Sequence, residues 1–334
     1  MIITKTPFRM SFFGGGTDME SFFREYEGAV LSTTFDKYCY VTVRHLPRFF
    51  DYTTELAYSK MERVKNVDDI DHPAVRNAMK MLDMHEIRLT YEADLPARSG
   101  LGTSSSFAVG MLNAFYALKG KYADKKKLAD EAIYLERELC QEAGGWQDQI
   151  AASYGGMNRI EFNKDGTYDV RPIIIHPERK QQLNDNLMMF FTGFTRFSSD
   201  MQKANKAGYE EKIKQLQEMY ALVDDAEKVL EDKHSDLDDF GRLLDKTWRL
   251  KRQTGGAITT NSIDELYEKG IKAAALGGKL LGAGGGGFLV FYVTLENKES
   301  VMNAMKDLLY VPFRFEDGGT QVIHYTPEMY EPRG

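Results

Sequence analysis

Three stretches of the chain carry residue types that could do chemistry together. The first is the run Ser99, Gly100, Leu101, Gly102, Thr103, Ser104, Ser105 and Ser106. Glycines let a backbone approach a bulky anion closely. Hydroxyl residues at a helix start cap orphan N–H groups, and the remaining N–H groups and the helix dipole favour a polyphosphate. A plain capped helix after a glycine turn fits the same residues. No Gly-Lys-Ser or Gly-Lys-Thr follows the glycines, so a P-loop lysine is missing. The second stretch holds Glu136 and, twelve residues on, Asp148. Glu136 falls on an apolar row with Ile133 and Cys140, and a carboxylate there needs a partner, either a salt-bridging cation or a metal ion. The third is Arg9 with Gly14, Gly15, Gly16, Thr17 and Asp18. A triple glycine alone reads as a turn.

The elements around these residues follow from periodicity. Ile87, Leu89, Tyr91 and Ala93 alternate with polar residues and predict a strand before the hydroxyl run. Residues 107–118 are almost all apolar and predict a helix buried on most sides. Residues 124–142 predict one helix that Gly144 and Gly145 end. Strands are expected at residues 2–3, 8–13, 29–35, 38–43, 157–162 and 168–175, with a hairpin or loop over 46–70. A polar stretch, 176–186, reads as the boundary between domains 1–180 and 181–334. In the second domain, a strand at 187–192, helices at 202–230, 237–252 and 263–276, and a glycine run precede a strand at 288–293. The glycines contain a formal G-x-G-x-x-G, but in the order helix, loop, strand, which is the reverse of a dinucleotide fingerprint. A helix at 297–309 and a last pair of strands around Gly318 and Gly319 complete the reading.

Composition bounds the function. The 334 residues suit about two domains. A net charge of −7 argues against a nucleic-acid binder, which needs a basic face. Cys39 and Cys140 form no metal or redox spacing, which suits a reduced, cytoplasmic protein. The first residues show no signal-peptide pattern, and the apolar run 288–293 is far too short to span a bilayer.

Pro96, Gly100, Leu101, Gly102, Ser104 and Ser105, with Thr103 in the first Ser position, resemble the Pro-x-x-x-Gly-Leu-Gly-Ser-Ser-Ser motif of the GHMP small-molecule kinases. Arg9, five residues before the first glycine, and Asp18, four after it, resemble the first motif of that family's sugar kinases. Gly145 and Asp148 stand at the Gly and Asp of the Cys-Gly-x-Met-Asp-Gln segment of galactokinases. The glycines of 282–287 resemble the third motif. The chain departs from galactokinases at Gly15 and Gly16, where they carry Glu-His, and so loses two sugar-contacting side chains. Gly-Gly-Gly-Thr-Asp resembles the branch that acts on D-glycero-D-manno-heptose 7-phosphate.

The resemblance implies an α+β, two-domain GHMP kinase fold: a mixed N-terminal sheet with helices, and a C-terminal ferredoxin-like α/β layer domain. It implies ATP, bound by Pro96 and by Ser99 through Ser106, and Mg²⁺ on Ser104 and Glu136, with Ser105 as the fallback. It makes Asp148 and Arg9 catalytic, and places Gly15, Gly16, Thr17, Asp18, Gly145, Asp148, Gly284 and Gly285 against the sugar phosphate. Arg196, one cation among four hydroxyls after a strand, is the candidate for the 7-phosphate, with residues 248–252 as the other; either fits a solvated face equally. The expected product is a 1,7-bisphosphate for nucleotide-activated heptose synthesis. A 1-kinase for fucose or galactose, or a non-catalytic sugar sensor, is the alternative. No nucleic-acid or membrane partner is expected, and the chain should act as a monomer or homodimer.

Overall fold

In the computed structural model, residues 1–97, 99–193, 209–255, 258–282 and 286–327 are described. The four short strands expected before residue 45 are two long ones, β1 (Ile2–Phe13) and β2 (Gly28–His45), paired antiparallel. Two bulges interrupt their ladder, between Pro7 and Phe8 and between Ser11 and Phe13. Pro7 lacks the N–H that an unbroken ladder would need, and bulges re-aim a strand end beside functional sites. Helix α1 (Glu20–Tyr26) lies between the strands in sequence. The 46–70 region holds a hairpin, β3 (Thr54–Ala57) and β4 (Met61–Val64), followed by α2 (Pro73–Met81) and β5 (Ile87–Ala93). β3 runs parallel to β5, so the sheet is mixed.

Helix α3 (Thr103–Leu118) is buried on nearly every side, as its uniform apolarity requires. It lies so close to β1 that a Cβ on Gly110 would stand 2.6 Å from Thr6 Oγ1. The expected 124–142 helix is instead α4 (Lys125–Tyr134) continued by one π-helical turn, Leu135–Leu139. It ends before Gly144 and Gly145: the Cys140 N–H returns to Leu135 O, and Gln141 takes φ +53°. The π turn breaks the 3.6-residue period, so the periodic pattern ran on past the true end. α5 (Gln147–Tyr154), β6 (Asn158–Phe162) and β7 (Tyr168–Pro172) follow. Residues expected as a polar boundary form α6 (Pro177–Asp185), which opens on a proline and buries only Leu183.

The second sheet begins with β8 (Leu187–Phe191). Helices α7 (Tyr209–Glu231), α8 (Asp238–Gln253) and α9 (Asn261–Lys272) precede β9 (Gly277–Leu280) and β10 (Phe288–Tyr292), and α10 (Lys298–Ala304) precedes β11 (Leu309–Tyr310). The strand order β11-β8-β10-β9 with this connectivity is the expected ferredoxin-like βαββαβ layer. β9 is the element the sequence reading lacked: the third glycine loop joins two antiparallel strands rather than a helix and a strand. The last strands, β12 (Phe315–Glu316) and β13 (Gln321–Tyr325), do not pair with each other. They pair with β2 and β1, so residues 315–325 return to the first sheet from within the 181–334 half.

One core joins both halves. Phe12 and Phe13 of β1 meet Phe240 of α8 edge-on, with ring centroids 5.2 and 5.1 Å apart. Such pairs add about 0.5–1.5 kcal/mol beyond area burial. The end of β1 is thereby fixed where the triple glycine begins. Among the described residues no helix is long and apolar enough to cross a membrane.

Candidate active site

The hydroxyl run forms the entry to α3. Gly100 and Gly102 take φ +81° and +73°, a region that side chains rarely adopt. Gly102 is the N-cap, and no side chain caps the helix. Thr103, Ser104 and Ser105 lie inside the first turn, so the expected hydroxyl cap is not made and the leading N–H groups keep their donor capacity. The glycines of the third motif close on this loop backbone to backbone. A Cβ on Gly282 would lie 2.3 Å from Gly100 Cα, and one on Gly287 would lie 2.3 Å from Ser99 O.

Not every hydroxyl of the run faces the cleft. Ser106 Oγ donates to Pro7 O at 3.0 Å and Leu101 is fully buried in the core, so their side chains hold the loop in place and leave only backbone for a nucleotide. Ser104 is exposed and Ser105 buried. Both donate to the same carboxylate: Ser104 Oγ to Glu136 Oε1 at 2.8 Å and Ser105 Oγ to Oε2 at 2.7 Å. Gln149 Nε2 also donates to Oε2, and Arg137 stands 3.9 Å away. Burial pushes the Glu136 carboxyl up from its ordinary range, while Ser105, Arg137, Ser104 and Gln149 pull it down. Glu136 lies in the π turn, and its carboxylate meets the start of α3.

Those oxygens suit Mg²⁺. Cis ligands of an octahedral ion with 2.0–2.1 Å bonds lie about 2.9 Å apart, and Ser104 Oγ and Glu136 Oε1 are 2.8 Å apart. Ser104, not Ser105, has the open side. No group of three or more His, Cys, Asp or Glu side chains forms a metal cluster among the described residues. A site with few protein ligands, completed by phosphate and water, is the Mg²⁺ habit.

Across the loop, Arg9 grips Asp148 with two hydrogen bonds, Nε to Oδ1 at 2.7 Å and Nη2 to Oδ2 at 3.0 Å, and gives Nη1 to Gly100 O at 2.9 Å. Arg9 is 5% exposed and Asp148 25%, so the carboxylate keeps a face to the cleft. Gly102 admits this pair: its Cβ would lie 3.3 Å from both Arg9 Cγ and Asp148 Cγ. Asp18 accepts the N–H of Gly16 at 2.9 Å and of Gln147 at 3.4 Å. Burial, then the charge of Asp148, push its carboxyl up; the Gly16 and Gln147 N–H groups oppose them. Gly145 is glycine because of Asp18, whose Oδ2 would stand 1.8 Å from a Cβ there.

The predicted residues thus converge, with exceptions. The Thr17 hydroxyl is fully buried and donates to Gly14 O at 2.8 Å and Ala29 O at 3.0 Å, so it braces the turn and has no face toward a sugar. Arg196, Gly284 and Gly285 lie outside the described residues. Of residues 248–252, Arg252 pairs with Asp264 at 3.0 Å, whereas Lys251 donates to Gly282 O. Sequence reasoning missed Gln149, Lys279, Ser11 and Gln147. Ser11 Oγ and Gln147 Oε1 are buried without a partner among the described residues, and Ser11 Oγ and Gln147 Nε2 both flank Gly15, 3.7 and 3.9 Å from where its Cβ would be. Lys279, a lone cation between glycines and leucines, was the one legible signal among them.

The GHMP kinases N terminal domain model matches residues 70–156 and the GHMP kinases C terminal model residues 220–311. A D-glycero-alpha-D-manno-heptose 7-phosphate kinase of Campylobacter jejuni is 30% identical over 98% of this chain and 97% of its own length. An L-fucokinase/L-fucose-1-P guanylyltransferase of Bacteroides fragilis is 28% identical over 66% of this chain but 23% of its own. The crystal structure of a D-glycero-D-manno-heptose 1-phosphate kinase from Bacteroides thetaiotaomicron superposes with a TM-score of 0.78 at 24% identity, covering 99% of this chain and all of that one. The chain belongs to the GHMP kinases and is a phosphotransferase.

Proposed function

We propose that this kinase transfers the γ-phosphoryl of ATP to the anomeric hydroxyl of D-glycero-D-manno-heptose 7-phosphate, giving the 1,7-bisphosphate. The observation that carries the reading is the Arg9–Asp148 fork beside Asp18, at the mouth of the phosphate loop. Phosphoryl transfer asks mainly for positioning and charge neutralisation. The loop from Ser99 to Ser105 offers N–H groups and helix dipole to the ATP phosphates. Ser104 and Glu136 would hold Mg²⁺, which supplies charge neutralisation on the phosphates when bound. Asp148 accepts, or orients, the proton of the attacking hydroxyl. Arg9 holds that carboxylate in place and offsets its charge. Asp18, Gly15, Gly16 and Gly145 shape the sugar pocket. Gly15 and Gly16 present no side chains, which leaves room for a seven-carbon sugar.

Residues 1–180 would carry ATP, Mg²⁺ and the base, and residues 181–334 the third glycine loop, with Gly284, Gly285 and Arg196 toward the acceptor. The relative from Campylobacter jejuni supports the heptose substrate; the partial match to a fucokinase is why fucose belongs in the test. A cytoplasmic monomer or homodimer acting on a small sugar phosphate is the matching setting. The test is an ADP-coupled assay with Mg·ATP against heptose 7-phosphate, heptose, galactose and fucose. The expected kcat/KM for heptose 7-phosphate exceeds the others by at least ~10²-fold, about what one or two charge-assisted contacts supply. A preference for an unphosphorylated sugar overturns the substrate.

A further inference from the structure

The cleft floor holds more positive charge than its partners balance. Arg9 spends three of its five donors on Asp148 and Gly100. Two lysines stand behind it. Lys279 on β9 is 1% exposed and gives Nζ to Phe12 O at 2.9 Å. Lys251 on α8 is half-buried and gives Nζ to Gly282 O. Neither makes an ion pair among the described residues. Each ammonium has three donors, and each spends one on a carbonyl. The charges that act on Lys251 are Arg9, Asp18 and Asp148, and those on Lys279 are Lys251, Arg9 and Asp18.

Such an arrangement is costly without a counter-ion. Unpaired buried cations lose hydration, and like charges repel. Burial first, then Arg9, pulls Lys251 down to about 8, against the opposing pull of Asp18 and Asp148. Burial, then Lys251 and Arg9, drives Lys279 well below its usual range. The two carbonyl acceptors locate the surplus. Gly282 lies against Gly100 of the phosphate loop, and Phe12 leads into the Gly14–Asp18 turn. The ammonium groups therefore stand where the donor side and the acceptor side of the reaction meet.

We propose that Lys251, backed by Lys279 and Arg9, is a phosphate-binding site at this seam, contributed by the C-terminal half. Lys251 touches the oxyanion; Lys279, tied to Phe12 O, positions β9. The group bound is a phosphate, either the phosphoryl leaving ATP or the ester on the acceptor. The inference rests on the proposed sugar-phosphate substrate only for that second choice.

The test uses the full-length protein with Lys251→Gln and Lys251→Arg, and Lys279→Met as an ancillary variant. Inorganic phosphate should raise the Tm of the wild type, and Lys251→Gln should lose most of that rise, with Lys251→Arg restoring part. Calorimetry with Mg·ATP and Mg·ADP, and kcat/KM with heptose 7-phosphate and heptose, identify the source. If Lys251 holds the transferred phosphoryl, Lys251→Gln weakens Mg·ATP by ~10–10²-fold and spares Mg·ADP, the usual worth of a charge-assisted contact. If it holds the acceptor's phosphate, the ratio of heptose 7-phosphate to heptose falls by the same factor. Equality of Lys251→Gln with wild type in the phosphate-induced Tm rise, the ATP-to-ADP affinity ratio and the sugar ratio overturns the site. If the wild type phosphorylates no sugar, the substrate reading fails, while the phosphate titration and the nucleotide ratio still decide this one. Should Lys279→Met fail to fold, the Lys251 variants carry the result alone.

Discussion

Adding one methyl group at Gly145 tests the sugar side of the cleft. Gly145 has no left-handed φ, so alanine there brings no backbone strain. The whole effect is contact: the new Cβ would lie 1.8 Å from Asp18 Oδ2 and 2.3 Å from Asp18 Cγ. Ordinary carbon–oxygen contact starts at about 3.4 Å, so the carboxylate must retreat by roughly 1.5 Å or the Gly145 backbone must shift as far. Either movement breaks the hydrogen bonds from Gly16 and Gln147 that aim the carboxylate. Misplacing a positioning group by about 1 Å costs ~10²-fold in rate. Gly145→Ala should therefore lower kcat/KM for the sugar by at least ~10²-fold while Mg·ATP affinity stays within about twofold. A double-mutant cycle separates contact from general damage. In an Asp18→Ala background the clashing carboxylate is gone, and adding Gly145→Ala should cost little more. Steady-state kinetics on the four proteins, with circular dichroism to confirm folding, give the answer. Near-normal kcat/KM in Gly145→Ala, or an equal loss in both backgrounds, refutes the geometry.

Two further outcomes follow from the carboxylates. Ser104→Ala and Glu136→Gln should each raise the Mg²⁺ concentration needed for half-maximal turnover, and the double variant should be little worse than the poorer single one, because ligands of one ion act as a unit; additive losses would separate their roles. Glu55, on the β3–β4 hairpin, is raised by burial, yet its bonds to Arg63 and Tyr52 and the charge of Arg88 outweigh that and hold it below its ordinary range. A lowered carboxylate stabilises the fold above its unfolded pKa, and that contribution is lost as pH falls through its folded value. Glu55→Gln should therefore lower Tm at about pH 7, and the gap should narrow as pH falls below the ordinary carboxylate range; an undiminished gap in acid contradicts the assignment.

Much of the site was legible because its parts are local. Gly100, Gly102 and the hydroxyls sit on one loop, and Arg9 with Asp18 frames one turn. The family resemblance supplied the step between Glu136 and Asp148. What escaped is non-local. Gln149 serves Glu136, and Lys279 reaches Phe12 across 267 residues. The π turn that carries Glu136 is invisible to a 3.6-residue period. α6 read as a linker because it buries one leucine. β12 and β13 flank a glycine turn, the usual sign of a hairpin, yet the core edge of β1 and β2 recruits them separately. Side-chain direction also decided roles that a motif cannot: Thr17 stands in the first motif and Ser106 just after the second, but their hydroxyls are spent on backbone carbonyls.

The central claim is that Asp148, held by Arg9, serves the attacking hydroxyl. The direct measurement is single-turnover phosphoryl transfer from Mg·ATP to heptose 7-phosphate by Asp148→Asn, with calorimetric binding of both ligands to the same protein. Asparagine keeps the size and one hydrogen bond to Arg9 but removes the basic oxygen. The account predicts ligand affinities near those of the wild type and a transfer rate ~10²–10⁴-fold lower, the worth of a general base. Transfer at close to the wild-type rate, by a variant that binds both ligands, would contradict it.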